Sequence, residues 1–171
     1  MSDATRPRHA HGFTLIELLI VVAVLGIISA IAIPGLLRAR SSANEASAVQ
    51  SLRTLVSAQS TFATTCGNNA YTTSLTTLVS ERFASPDLDI TPKSGYRFQL
   101  VAGLGSRAMP PDCTGAPTSS GYYFRAEPIS GTTGRRGFAT NEAGTIWQDL
   151  NGVAPAEPFA TAGTVTPLDQ H

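Results

Sequence analysis

Residues 13–37 read FTLIELLIVVAVLGIISAIAIPGLL and carry a single charge, Glu17. At ~1.5 Å rise per residue a helix of this length covers about 37 Å, enough to cross a ~30 Å hydrocarbon layer. The stretch is apolar on every side, with no amphipathic stripe. A helix of that kind belongs in lipid or in a protein interior. The rest of the chain is too small and too polar to wrap it, so the stretch reads as a membrane span. Around it lie 171 residues in all, with 12 Lys+Arg against 12 Asp+Glu, 14% charged and 42% apolar. Charge is therefore scarce against the usual fraction of about 25%. The neutral balance and the 7% aromatic content argue against direct nucleic-acid binding. The concentration of apolar residues in one block excludes an ordinary soluble protein from end to end.

Two plain readings of the block are a secretory signal peptide and a simple N-terminal anchor. Arg6 and Arg8 would be the positive start of a signal peptide, and Ala30-Ile31-Ala32 fits the small-x-small cleavage rule. Against it stand Glu17 inside the apolar segment and the way the pattern passes through Pro34 and Gly35 into a second helical pattern. A carboxylate deep in a membrane helix costs ~2.5–3.5 kcal/mol and is usually functional. No Lys or Arg lies between Phe13 and Leu37. Glu17 therefore either snorkels to the headgroups or needs a cation from elsewhere. Cleavage after Gly12 would create one, the α-amine of Phe13, four residues before Glu17. That amine can pair with Glu17 of its own chain or of a neighbour.

The run Gly12-Phe13-Thr14-Leu15-Ile16-Glu17-Leu18-Leu19-Ile20-Val21 resembles the N-terminal signature of type IV prepilins and type II secretion pseudopilins. The resemblance covers residues 12 to about 40. It implies a hydrophilic leader, Met1–Gly12, held in the cytoplasm while the span sits in the inner membrane. It implies a membrane prepilin peptidase that cuts between Gly12 and Phe13 and N-methylates Phe13. Glycine at position 12 suits a tight protease site, because no side chain obstructs the extended backbone. It further implies that Glu17 neutralises the terminal amine of an adjacent subunit and so sets the register of a homo-polymer, assembled by an inner-membrane platform from a lipid-held precursor. Gly26 and Pro34 sit where many family members carry helix-breaking residues. Proline removes a backbone donor and crowds the preceding turn, and glycine lowers helix propensity by ~1 kcal/mol. The stretch Gly26–Gly35 is thus expected to bend, or to extend on filament packing. The implied product is an extracellular pilus or a periplasmic pseudopilus. An exported or singly anchored binding module is the rival from another class. Charge counting does not orient the span, since Arg38 and Arg40 balance Arg6 and Arg8.

Residues 38–65 keep a helical rhythm and become amphipathic. Val49, Leu52, Val56, Gln59 and Ala63 form a stripe, with Leu55 and Phe62 beside it. Arg38, Arg40, Asn44, Glu45, Gln50 and Arg53 fall on other faces. Gly67, Asn68 and Asn69 are stop signals. Strand patterns follow at 96–101, 122–127, 137–140 and 144–149, the last two flanking a turn at Asn141-Glu142-Ala143. The expected fold is α+β: a long N-terminal helix, half span and half amphipathic, packed on a pilin-like head (66–150) of three or four antiparallel strands. A short helix around Ser74–Phe83 is expected to cover one side. Loops 103–121 and 128–136 are expected to be exposed, and residues 151–171 to be a loose tail.

Cys66 and Cys113 are the only cysteines, both beyond the span. In an exported head they are expected to form a disulfide, closing a loop of about 48 residues worth ~4 kcal/mol by chain entropy. The three histidines are His9, His11 and His171, so no interior histidine base serves nucleophilic catalysis. No enzyme is expected, and no cofactor. The one cation hint is calcium, which some major pseudopilins bind, at Asp87/Asp89 or Asp149/Asn151-Gly152. Neither fills an EF-hand loop, and solvated carboxylates are the default.

Overall fold

The computed structural model describes residues 13–90 and 92–168. The first helix, α1 (Leu15–Thr65), has 51 residues. The chain divides into two compact units between Arg38 and Ala39.

In the first unit every described side chain is exposed, from Phe13 to Leu37. It is long and apolar enough to cross a membrane. Helical geometry is unbroken through Gly26 and Pro34.

In the second unit the remainder of α1 lies on antiparallel strands. Its buried residues are Glu45, Ala48, Ser51, Leu52, Leu55, Ala58, Gln59, Phe62 and Ala63. The apolar face is centred on the 48–52–55–59–62 row, so the stripe expected from sequence is rotated and Val49 and Val56 lie on its margin. Two short elements follow the helix: β1 (Tyr71–Thr72) and α2 (Leu75–Ser80), which Ser74 caps through its side chain to the Thr77 N–H. Next come β2 (Tyr96–Ala102), β3 (Ala108–Met109), β4 (Thr118–Ser119), β5 (Tyr122–Pro128), β6 (Gly137–Asn141), β7 (Trp147–Asp149) and β8 (Val165–Pro167). The main sheet is antiparallel in the order β2-β5-β6-β7-β8, and a small sheet runs β1-β4-β3. Alternate side chains of the main sheet meet α1: Tyr96, Phe98 and Leu100 from β2, Tyr122, Phe124 and Ala126 from β5, and Phe138 from β6. Period-2 alternation places them all on one face.

Three differences from the sequence reading have physical causes. First, the segment 103–121 is not merely an exposed loop. Its two-residue strands β3 and β4 are too short to show alternation, yet they bury Thr118 and Ser119. Second, 151–168 is not a loose tail. It lays residues 153–159 over the outer face of the main sheet and then adds β8 as the fifth strand, beyond the three or four expected. Tyr123 donates its hydroxyl to the Pro155 carbonyl at 2.7 Å, and Phe159 stacks on Trp147 with ring centroids 5.6 Å apart. Glu157 accepts from the Leu104 N–H and the Asn141 amide, both at 2.7 Å. Gly137 makes room for this strap, since a Cβ there would lie 2.2 Å from the Val153 carbonyl oxygen. Proline and alanine read as irregular because their contacts here run to distant strands. Third, Glu45 is buried rather than on a polar face. Its Oε1 accepts from the Arg135 N–H at 2.8 Å, and its Oε2 pairs with the Arg136 guanidinium at 2.7 Å.

Candidate functional site

The N-terminal start of α1 is built by a reciprocal cap. The Glu17 N–H donates to the Thr14 hydroxyl at 3.2 Å, and both the Thr14 N–H and hydroxyl reach Glu17 Oε2 at 3.4 Å. The S/T-x-x-E spacing produces this arrangement, in which each side chain satisfies an amide that the first helical turn leaves free. The carboxylate also meets the positive end of the helix dipole. Glu17 is exposed, one helical turn from Phe13, which is exposed as well. This capping role is one the sequence reading missed, although Thr14 and Glu17 stood at the required spacing. Gly12 and residues 1–11 lie outside the described residues, as do residue 91 and residues 169–171.

Phe13–Leu37 therefore presents an apolar cylinder whose one carboxylate sits in its first turn. A Cβ at Gly26 or Gly35 would meet no atom within 4 Å. Neither glycine is required by packing inside the chain, and both leave room for close approach by another chain. Pro34 withholds an N–H from the helix without ending it.

The second unit supplies the anchoring. Cys66 and Cys113 form the disulfide, their Cα atoms 4.9 Å apart, and the Cys113 N–H donates to the Cys66 carbonyl at 2.8 Å. The bridge ties the end of α1 to the segment between β3 and β4. Asn68 and Asn69 make the stop with positive φ, 52° and 63°, a conformation asparagine tolerates better than most residues. The buried Gln59 amide donates to the Thr72 carbonyl at 2.7 Å and accepts the Thr72 N–H at 3.2 Å, completing the hydrogen bonding of β1. At the other end of this part of α1, Asn44 donates to the Thr133 carbonyl at 2.8 Å beside the Glu45 pair. Arg136 continues to Gln148 Oε1 at 2.9 Å and lies over the Phe138 ring. The Tyr96 hydroxyl donates to the Arg136 carbonyl at 2.8 Å, and burial next to the Glu45 carboxylate pushes its pKa upward. Glu45 shares the 48–52–55–59–62 phase of α1, and that phase is the sequence signal that could have found it.

The calcium candidates are held differently. Asp87 pairs with Lys93 at 2.7 Å, and that contact lowers its pKa; Asp89 accepts from the Thr76 hydroxyl, and Asp149 Oδ1 accepts from the Asn151 N–H. Among the described residues no three His, Cys, Asp or Glu side chains gather around one point.

A family model described as a prokaryotic N-terminal methylation motif matches residues 7–33. The type IV wide pilus major component PilA4 of Thermus thermophilus is 40% identical over 142 residues, which is 82% of this chain and 95% of that protein. The type IV major pilin protein PilA of Myxococcus xanthus is 46% identical over 56 residues, 33% of this chain and 25% of that protein. No solved structure matches the chain.

Proposed function

The chain belongs to the type IV pilin family and is a structural subunit of a pilus, and from that premise we propose how its N-terminal helix is matured and polymerised. It is made as a single-pass inner-membrane precursor with residues 1–12 in the cytoplasm. Prepilin peptidase cuts between Gly12 and Phe13, and Phe13 is N-methylated, which keeps its positive charge. Before assembly lipid covers the apolar cylinder. An inner-membrane platform then moves subunits into a homo-polymer, in which 13–37 of each chain packs against 13–37 of others and the second unit faces outward into the extracellular medium. The chain carries no catalytic role and no cofactor in this scheme. The likeness, over 82% of this chain, to a protein named as a pilus component favours a pilus over a secretion pseudopilus.

The observation that carries the reading is the exposed, all-round apolar helix with one carboxylate, Glu17, in its first turn. An unpaired charge among packed helices is costly, so each subunit is driven to the depth at which Glu17 meets a Phe13 amine. Until then Thr14 and the helix terminus hold the carboxylate. Open space at Gly26 and Gly35 lets neighbouring backbones approach. The missing bond at Pro34 lowers the cost of extending the stretch between them during packing.

Mass spectrometry of sheared filaments tests this. The mature chain is expected to begin at a methylated Phe13, and Glu17→Val is expected to be cut normally yet to assemble poorly. An intact Met1 or a start after Ala32 refutes the processing scheme. Normal filaments from Glu17→Val refute the registry role.

A further inference from the structure

Two oppositely charged features lie on different flanks of α1 at the same level, both in the second unit. On one flank a groove of about 450 Å³ is lined by Gln50, Arg53, Thr54 and Ser57 of α1 and by Arg82 and Phe83 after α2. Phe83 packs edge-on against the buried Phe62, ring centroids 5.4 Å apart, which fixes this wall against the helix. Arg53 and Arg82 are exposed, and neither belongs to an ion pair among the described residues. On the other flank the turn between β6 and β7 reaches α1 at Val56, where a Cβ at Gly144 would stand 3.8 Å from the Val56 side chain. That turn carries Glu142, exposed and likewise without an ion-pair partner among the described residues. Ala58, on the Phe83 side of the groove, and Val56 are two residues apart, about 200° around the helix axis, so Arg82 and the turn lie on different flanks. Arg53 is three residues from Val56, about 60° around the axis, yet among the described residues no ion pair joins Arg53 or Arg82 to Glu142 within the chain.

We propose that the Arg53/Arg82 groove is the docking site for the Glu142 turn of a second copy of this chain. The inference rests on the polymer reading above and names a contact between outer units that the reading does not specify. Complementary patches on different flanks make a heterologous contact, which leaves a free groove and a free turn at each step and so propagates instead of closing. Two guanidiniums, each a planar fork of donors, suit a carboxylate presented by a short turn. Such a contact adds modest affinity and chiefly selects register and neighbour.

Charge reversal in full-length chains, expressed with their assembly machinery, tests the pairing. Arg82→Glu and Glu142→Arg are each expected to lower sheared-filament yield by about threefold or more at moderate salt, and the doubly reversed chain to recover at least about half. All these positions are exposed, and unchanged Trp147 fluorescence verifies the fold. In filaments of Arg82→Lys, a carbodiimide is expected to join position 82 to Glu142 of a neighbouring chain, seen as one cross-linked peptide. Wild-type filaments alongside unaffected single variants, or a double variant no better than the singles, overturn the docking alone. A wild-type chain that forms no filaments overturns the polymer reading as well.

Discussion

Replacing Glu45 by alanine removes the one carboxylate that joins α1 to the strand-β5-to-β6 connection. Its side chain is 7% exposed and that of Arg136 is 37% exposed. Breaking a fully buried pair costs about 3–5 kcal/mol. Arg136 keeps partial access to water, which reduces that to about 2 kcal/mol. The Arg135 and Arg136 N–H groups also lose their acceptor, adding about 1 kcal/mol. The total of about 3 kcal/mol corresponds to a Tm lower by roughly 6–12 °C in a chain of this size. Glu45→Gln retains an acceptor for the two N–H groups and is expected to lose about half as much. The assay is urea unfolding of the full chain in detergent, followed by fluorescence of Trp147, the only tryptophan. A double-mutant cycle with Arg136→Met isolates the charge pair, with an expected coupling of about 1–2 kcal/mol. A loss under about 0.5 kcal/mol for Glu45→Ala, with an unchanged denaturant slope, would refute the idea that this pair anchors the helix.

Reduction of Cys66–Cys113, or the Cys66→Ser/Cys113→Ser pair, is expected to lower stability by about 4 kcal/mol, measured as a shift in urea midpoint. Gly137→Ala places a methyl against the Val153 carbonyl and is expected to cost about 1–3 kcal/mol and to red-shift Trp147 emission as the strap lifts; an unshifted spectrum contradicts the packing described. Burial works against the charge on Asp112, but hydrogen bonds from the Thr114 hydroxyl and from the Ala116, Thr114 and Gly115 backbone outweigh it and hold its pKa below the ordinary 3.8. Its contribution is therefore complete above about pH 4 and is lost as pH falls through the lower folded value, so Asp112→Asn is expected to flatten the acid limb of a stability–pH profile between pH 2 and 5. Burial first, then Glu127 and Glu157, push Tyr123 up to about 12 against the opposing pull of Arg125. A raised tyrosine stabilises fully below pH 10, and that stability falls as pH climbs towards 12, which alkaline unfolding of Tyr123→Phe against wild type would measure.

Features written in neighbouring residues were legible without coordinates. The apolar helix from Phe13 to Leu37, Glu17 as its one charge, the stop at Gly67-Asn68-Asn69 and strands β2, β5 and β6 all rest on local pattern: hydropathy over a few turns, a turn signal, an alternation. The Cys66–Cys113 bridge followed from there being two cysteines and one oxidising side of a membrane. Tertiary packing settled what depends on partners far along the chain. Glu45 is polar by type, and its burial follows from the Arg135–Arg136 segment 90 residues away meeting that face of α1. The 151–168 segment has no periodicity of its own. It is ordered by the Tyr123 hydroxyl, the Trp147 ring and the space left by Gly137, each on a different strand. Local pattern reports whether a residue can be buried cheaply, whereas a hydrogen bond or a stacked ring across the fold decides whether an otherwise indifferent residue is.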